Sequence, residues 1–266
     1  MRRVLDHFVL LVGVFVLCGP VLLLAVSATH SGGLGGRSGL TLFPGAEFGE
    51  NLARLAIVFE RARTPGLANM LLTSALLGAG VALATTAVAF LAAYAMVFAT
   101  RARLWFWITL ATLYFPIEAR MLATFDAVNA LGLINTRLGM ILPVLPLALG
   151  TLVFRQHLRT LPPEYFEAAR LDAAGPWRFL RDFAVPLSIT PISAVGLISF
   201  IWGWNQYLWP LMITVDGQNW TVMHGLQMLG TGSGAGITLG ALSMLPALFL
   251  VIAFSRLLSR LGAARP

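Results

Sequence analysis

Lysine is absent from this sequence; all 18 basic residues are arginine. Charge of either sign is scarce, at 11% of 266 residues, where soluble domains carry roughly 25%. With 58% hydrophobic residues and a mean hydropathy of +0.82, that scarcity excludes a soluble globular domain. A single cysteine, Cys18, sits inside an apolar run, so no intrachain disulfide can form and redox chemistry has no thiol pair. The four histidines, His7, His30, His157 and His224, are scattered without ligand spacing, so no metal site is expected. No serine and histidine can be argued into a nucleophile–base arrangement. The chain also lacks a G-x-x-x-x-G-K-[ST] phosphate loop. "GTGSGAG" at 230–236 has the glycines but not the lysine and reads as a flexible loop.

What is present is long apolar runs separated by arginines. A net charge of +7, carried between apolar segments rather than on one polar face, suits a membrane lipid surface and not nucleic acid. A bilayer core about 30 Å thick needs roughly 20 apolar helical residues. Six segments approach this: about 8–28, 68–99, 104–124, 139–158, 190–213 and 238–258. The expectation is an all-α, polytopic membrane protein, with 1–266 as a single transmembrane domain and no internal repeat. "MRR" and the run ending "AVSATH" admit a cleaved signal peptide; the run from Phe8 to Val26 exceeds a usual signal core of about 7–15 residues and reads as a retained first span. Tyr94 suits a belt position at the inner end of the second span.

With the N-terminus inside, the inner segments hold Arg2, Arg3, Arg101, Arg103, Arg155, Arg159, Arg170, Arg178, Arg181, Arg256, Arg260 and Arg265. The outer ones hold Arg37, Arg54, Arg61, Arg63, Arg120 and Arg137. Arginine excess on the inner side favours this orientation, with both termini cytoplasmic. In the first outer segment, "HSGGLGGRSG" reads as a flexible loop and "GENLARLAIVFERA" as a short surface helix.

The same orientation places about 159–189 in the cytoplasm, where "RTLPPEYFEAARLDAAGPW" carries helix signals. Thr160 can cap, Pro162 and Pro163 suit a first turn, and Glu164 and Glu167 favour the positive helix end. Gly175 and Pro176 are expected to end it. About eleven residues make a helix of roughly 16 Å, too short to span and too polar to insert. Ala168, Ala169, Ala173 and Ala174 allow close backbone approach, while Glu167, Arg170 and Asp172 offer charge. Docking into a partner's groove and a solvated helix with a Glu167–Arg170 pair both fit these residues.

"EAARLDAAGPWRFLRDFAVPLSITPI" resembles the EAA loop of ABC importer permeases. Glu167, Ala168, Ala169, Asp172, Ala174, Phe179, Pro186 and Leu187 match as they stand. Ala173 departs, where the family usually has glycine; alanine fits a helix better, so docking is expected to survive. "LGLINTRLGMILP" at 131–143, "GWNQYLWPLMIT" at 203–214 and the early "LFPGAEFGENLARL" are similar to carbohydrate-type permeases, above all the second permease subunit of sn-glycerol-3-phosphate importers. The resemblance implies a type I importer permease fold and a bacterial inner-membrane location. It also implies a coupling helix over Glu164–Gly175 that sits in a cleft of a separate ATPase. The partners implied are a second permease chain, two ATP-binding subunits holding ATP and Mg, and an extracytoplasmic substrate-binding protein. This chain would bind no cofactor itself. Its solute would be sn-glycerol-3-phosphate or a glycerophosphodiester, with a neutral sugar or polyol as the alternative.

Two groups are candidates for the solute pathway. Trp204, Asn205, Gln206 and Tyr207 lie in "FIWGWNQYLWP"; amides at lipid depth face protein or a water-filled cavity. Trp202 and Trp209 beside them also suit an aromatic belt. Glu118 and Arg120 follow Pro116; a guanidinium there can take a phosphate or snorkel to the interface. An integral-membrane enzyme using Glu118, Arg120 and Asp126 on a lipid-like substrate, or a facilitator, remains as a different class; neither needs a short alanine-rich docking helix.

Overall fold

A computed structural model describes residues 2–32, 42–61, 64–98, 102–114, 117–145, 148–230 and 232–263. The glycine-rich 33–41 stretch, read above as a loop, lies outside them. Among the described residues every regular element is helical. The chain divides into two compact units, Met1–Thr73 with Asp216–Phe249, and Ser74–Val215 with Leu250–Pro266.

The first unit begins with α1 (Arg2–Ser27), whose apolar window is unburied along its length. The surface helix expected in the outer segment is α2 (Phe48–Arg61), with Asn51, Leu55 and Phe59 buried at i, i+4 and i+8. That stripe is the amphipathic pattern of a helix lying on a core. Asn51 Nδ2 donates to the carbonyls of Ala28 (3.0 Å) and His30 (2.9 Å), which fixes the chain where it leaves α1. The unit also holds α13 (Val222–Leu229) and the start of α14 (Gly234–Ala263).

The second unit contains most of α3 (Leu67–Phe98), then α4 (Ala102–Thr112), α5 (Ile117–Ala130), α6 (Arg137–Ile141) and α7 (Ala148–Arg159). These are followed by α8 (Glu164–Leu171), α9 (Pro176–Phe179), α10 (Val185–Leu187), α11 (Ile189–Trp204) and α12 (Leu208–Ile213). Helices α3 and α11 cross closely. A Cβ on Gly203 would stand 2.9 Å from Val81 Cβ and 3.1 Å from Gly78 Cα, the small-residue contact that lets membrane helices approach.

Among the described residues, three helices are long and apolar enough to cross a bilayer: Leu5–Ser27, Leu67–Phe98 and Gly234–Arg256. Two bent pairs raise the number to five: Arg137–Val144 with Ala148–Arg159 at 54°, and Pro176–Leu187 with Ile189–Trp204 at 77°. The multi-span, all-helical expectation therefore stands, with two corrections to the spans. The segment 104–124 is not one helix but α4 and α5, of 11 and 14 residues. Pro116 removes a backbone donor there, and the second piece carries Glu118, Arg120 and Asp126, too polar for a lipid span. The segment 190–213 breaks after Trp204 and resumes at Leu208. Pro210 cannot donate to the Gln206 carbonyl, so the helix cannot run through.

Candidate functional site

Helix α7 ends at Arg159, where the Thr160 hydroxyl donates back to the His157 carbonyl at 2.7 Å. Thr160 thus closes the preceding helix rather than capping the next. The Pro162–Pro163 turn opens α8, with the Phe166 N–H donating to Pro163 O at 3.0 Å. Helix α8 has eight residues and two acids, Glu164 and Glu167, in its first turn, where the helix dipole favours negative charge. The side chain of Arg170 lies outside the described residues, and with it the Glu167–Arg170 pair.

Helix α8 ends at Leu171, before Gly175. Ala173 has φ +49°, and the Ala174 N–H donates to Ala169 O at 2.9 Å. This is the six-to-one bond of a Schellman stop, with Ala173 in the left-handed position that glycine usually holds. The sequence expectation that alanine suits this position because it is helical is therefore corrected. Its Cβ carries left-handed strain of about 1–2 kcal/mol, partly offset by a stiffer unfolded chain. We predict that Ala173→Gly stabilises the stop by roughly 0.5–1 kcal/mol. Hydrogen exchange at the Ala174 amide should then slow a few-fold; faster exchange would refute the geometry. Gly175 instead starts the next element, as the extended cap before Pro176 at the first position of α9.

One face of α8 is fixed to the unit beneath it. Ala169 is 3% exposed and, with half-buried Phe166, packs on a core that includes Phe90, Phe154, Leu158 and Phe179. The Phe166 ring lies 5.2 Å from Phe98 and 5.0 Å from Phe179, and Phe179 stacks on Phe183 at 5.5 Å and 11°. Tyr94 donates its hydroxyl to Pro176 O at 2.8 Å, so its role is to hold the loop as well as to mark the end of α3. The backbone then continues through α9 into a π-turn at Leu180–Ala184, closed by Val185 N–H on Leu180 O. From there it passes α10 and bends at Ser188 into α11. π-Turns inside helices are often found at functional sites.

The other face is bare. Glu164, Glu167, Ala168, Asp172, Ala173 and Gly175 are exposed, Leu171 is 88% exposed and Trp177 is 75% exposed. Of the four alanines expected to offer close approach, Ala168 and Ala173 face outward, Ala169 faces the core and Ala174 is half-buried. Sequence reasoning missed Leu171 and Trp177, the two most exposed large apolar groups on this surface. The available signal was their position: Leu171 falls two residues after the inward Ala169, and Trp177 directly follows the Gly-Pro break. The Arg178–Asp182 and Arg181–Asp182 pairs are exposed and contribute little to stability.

The proposed solute-pathway residues separate. Trp204 is 1% exposed and stacks on Phe200 at 6.0 Å, which makes it a core residue. Trp209 is also buried, its Nε1 donating to Gly139 O at 3.1 Å. Asn205 and Tyr207 are exposed at the helix break, and Gln206 is half-buried. Arg120 is exposed on α5, and the side chain of Glu118 lies outside the described residues. Among the described residues, no hydrogen bond or ion pair joins Arg120 to 204–207. The two stretches at 131–143 and 203–214 do meet. Asn135, at φ +60°, donates its N–H to Ile213 O at 2.9 Å and accepts the Val215 N–H on Oδ1. Among the described residues, no group of three or more His, Cys, Asp or Glu could hold a metal ion.

Over residues 1–261 the chain matches the family described as binding-protein-dependent transport system inner membrane component. It is 36% identical over 230 residues to the sn-glycerol-3-phosphate transport system permease protein UgpE of Rhizobium meliloti, covering 85% of this chain and 82% of that one. It is 36% identical over 267 residues to the protein of the same name from Pectobacterium atrosepticum, covering 96% and 95%. Among solved structures, a bacterial ABC transporter involved in the import of the acidic polysaccharide alginate superposes with a TM-score of 0.77. It covers 96% of both chains at 18% identity, a likeness of fold.

Proposed function

Because the chain belongs to the binding-protein-dependent transport system inner membrane components, a family of importer permeases and not enzymes, we propose that it carries sn-glycerol-3-phosphate or a related glycerophosphodiester across the inner membrane. The 36% identity to sn-glycerol-3-phosphate permeases over most of their length supports that solute class. In this reading 1–266 acts as one transmembrane permease domain with cytoplasmic termini and a cytoplasmic loop at 159–189. It pairs with a second permease chain, and an extracytoplasmic binding protein delivers the solute. Two ATP-binding subunits supply the energy, one of them docked on Glu164–Gly175.

The observation that carries the docking role is the two-faced α8, with Leu171 and Trp177 bare outside and Phe166 and Ala169 fixed inside. Apolar anchors flanked by charge are what a partner's pocket takes up. A displacement of the outer face by the ATPase must move the Phe98–Phe166–Phe179 cluster. It is thereby passed to α3, and through the π-turn to the bend at Ser188 and α11. Those helices are the moving parts of alternating access.

Two experiments test the proposal. Cells with and without this chain should differ in uptake of labelled glycerol-3-phosphate and a glycerophosphodiester, but not of neutral sugars. Loss confined to a neutral sugar would keep the importer and overturn the phosphate assignment. Glu167→Arg, an exposed substitution that reverses the charge on the docking face, should cut uptake at least about tenfold with the chain still in the membrane. Normal uptake and normal ATPase association in that variant would contradict the docking role.

A further inference from the structure

Beside the loop's mounting, the second unit has a basic cavity that the coupling role does not use. It holds about 370 Å³ and is lined by Arg103, Arg155, Arg159, Phe106, Met96 and Val97. Arg155 and Arg159 are one turn apart on α7, and Arg103 comes from the first turn of α4. Among the described residues, no acid lines the cavity. The Arg155 guanidinium lies over the Phe106 ring, 4.3 Å from its centroid, a cation–π contact. Its Nε is buried and has no acceptor among the described residues. A buried guanidinium donor without a protein acceptor, among like charges, is suited to an anionic ligand.

The adjoining surface identifies the anion. On α4, Leu104, Trp105, Trp107 and Ile108 are exposed next to the arginines, an apolar and tryptophan-rich strip of the kind found where a helix meets the headgroup layer. We propose that Arg103, Arg155 and Arg159 bind the phosphate of an anionic phospholipid, with its acyl chains along the exposed face of α4. Guanidinium groups match phosphate oxygens in bidentate geometry, and basic pockets between membrane helices are suited to anionic headgroups. The cavity shares Val97 and Arg159 with the one under α8 lined by Tyr94, Phe166 and Phe179. A lipid seated there would therefore brace the base of the docking loop. This inference does not depend on which solute is carried.

The test uses the assembled importer with the full-length chain, in nanodiscs of phosphatidylcholine alone or mixed with phosphatidylglycerol, followed by native mass spectrometry. The wild-type chain should retain phosphatidylglycerol in preference to phosphatidylcholine. Arg155→Gln and the exposed Arg103→Gln should each lower that occupancy about fivefold, the weight of one basic side chain at a membrane surface. Arg103→Gln guards against misfolding, since its side chain is at the cavity rim. Equal phosphatidylglycerol occupancy in wild type and both variants would overturn the proposal. Displacement of the lipid by millimolar inorganic phosphate would assign the seat to a free anion and overturn the lipid. Loss of the ATPase from both variants with lipid retention unchanged would assign the arginines to a protein partner instead.

Discussion

Leu171→Asp is expected to abolish solute uptake while leaving the thermal stability of the permease unchanged. Leu171 is 88% exposed, so replacing it removes no core packing and buries no new charge in the isolated chain. On the proposed docking face the same position would be covered by the ATPase. An aspartate there must then be desolvated without a partner, while the apolar anchor is lost. Anchors of this kind are worth about 2 kcal/mol or more, and an unpaired charge in an interface adds several more. ATPase association should weaken by at least about a hundredfold. Trp177→Ala should weaken it in the same direction without the charge penalty. Co-purification of the ATP-binding subunits and uptake by intact cells give the two readouts. A drop in thermal stability with docking intact would mean that Leu171 supports the fold, against the exposed placement of α8.

Gly139→Ala should be strongly destabilising. A Cβ at this buried position would overlap the Leu133 carbonyl oxygen, a backbone atom that cannot rotate away. The same residue donates its N–H to the Thr136 hydroxyl at 3.0 Å, which caps α6, and accepts the Trp209 indole at 3.1 Å. Moving Leu133 to make room disturbs the turn containing Asn135, whose side chain holds Val215. Overpacking costs about 1–3 kcal/mol, and a lost buried hydrogen bond adds about 1 kcal/mol. We expect a loss of roughly 2–4 kcal/mol, read as a lowered unfolding temperature of the purified protein and reduced amounts in the membrane. A variant as stable as wild type would contradict the contact between 131–143 and 203–214.

These two residues also mark what a sequence can and cannot disclose here. The polar, proline-opened stretch after α7 is visible as a short helix because its signals are local: two prolines, early acids, alanines and a Gly-Pro ending. Its exposed anchors are less visible. An outward Leu171 and an inward Phe166 are equally apolar, and only the partners Phe98 and Phe179 decide which is buried. Tyr94 meets Pro176 across 82 positions of chain, a pairing that no periodicity encodes. Ala173 shows the opposite case. A glycine at this position would signal a left-handed backbone, whereas an alanine reads as helical although its φ is +49°. Trp204 resembles a solute-facing aromatic in composition, yet the close α3–α11 crossing at Gly78 and Gly203 places it in the core. The break before Leu208 was legible in Pro210, through the donor that proline lacks.

The claim that the bare face of α8 receives the ATPase is tested most directly by labelling. Cys18 is the only cysteine in the chain, so Cys18→Ala gives a thiol-free background into which Leu171→Cys is introduced. Inverted membrane vesicles, which present the cytoplasmic side, are treated with a membrane-impermeant maleimide before and after the ATP-binding subunits are added. Rapid labelling of the bare permease and strong protection once the ATPase is bound is the predicted result. Equal labelling with and without the ATPase would contradict docking on this helix, and labelling only in right-side-out vesicles would contradict its cytoplasmic placement.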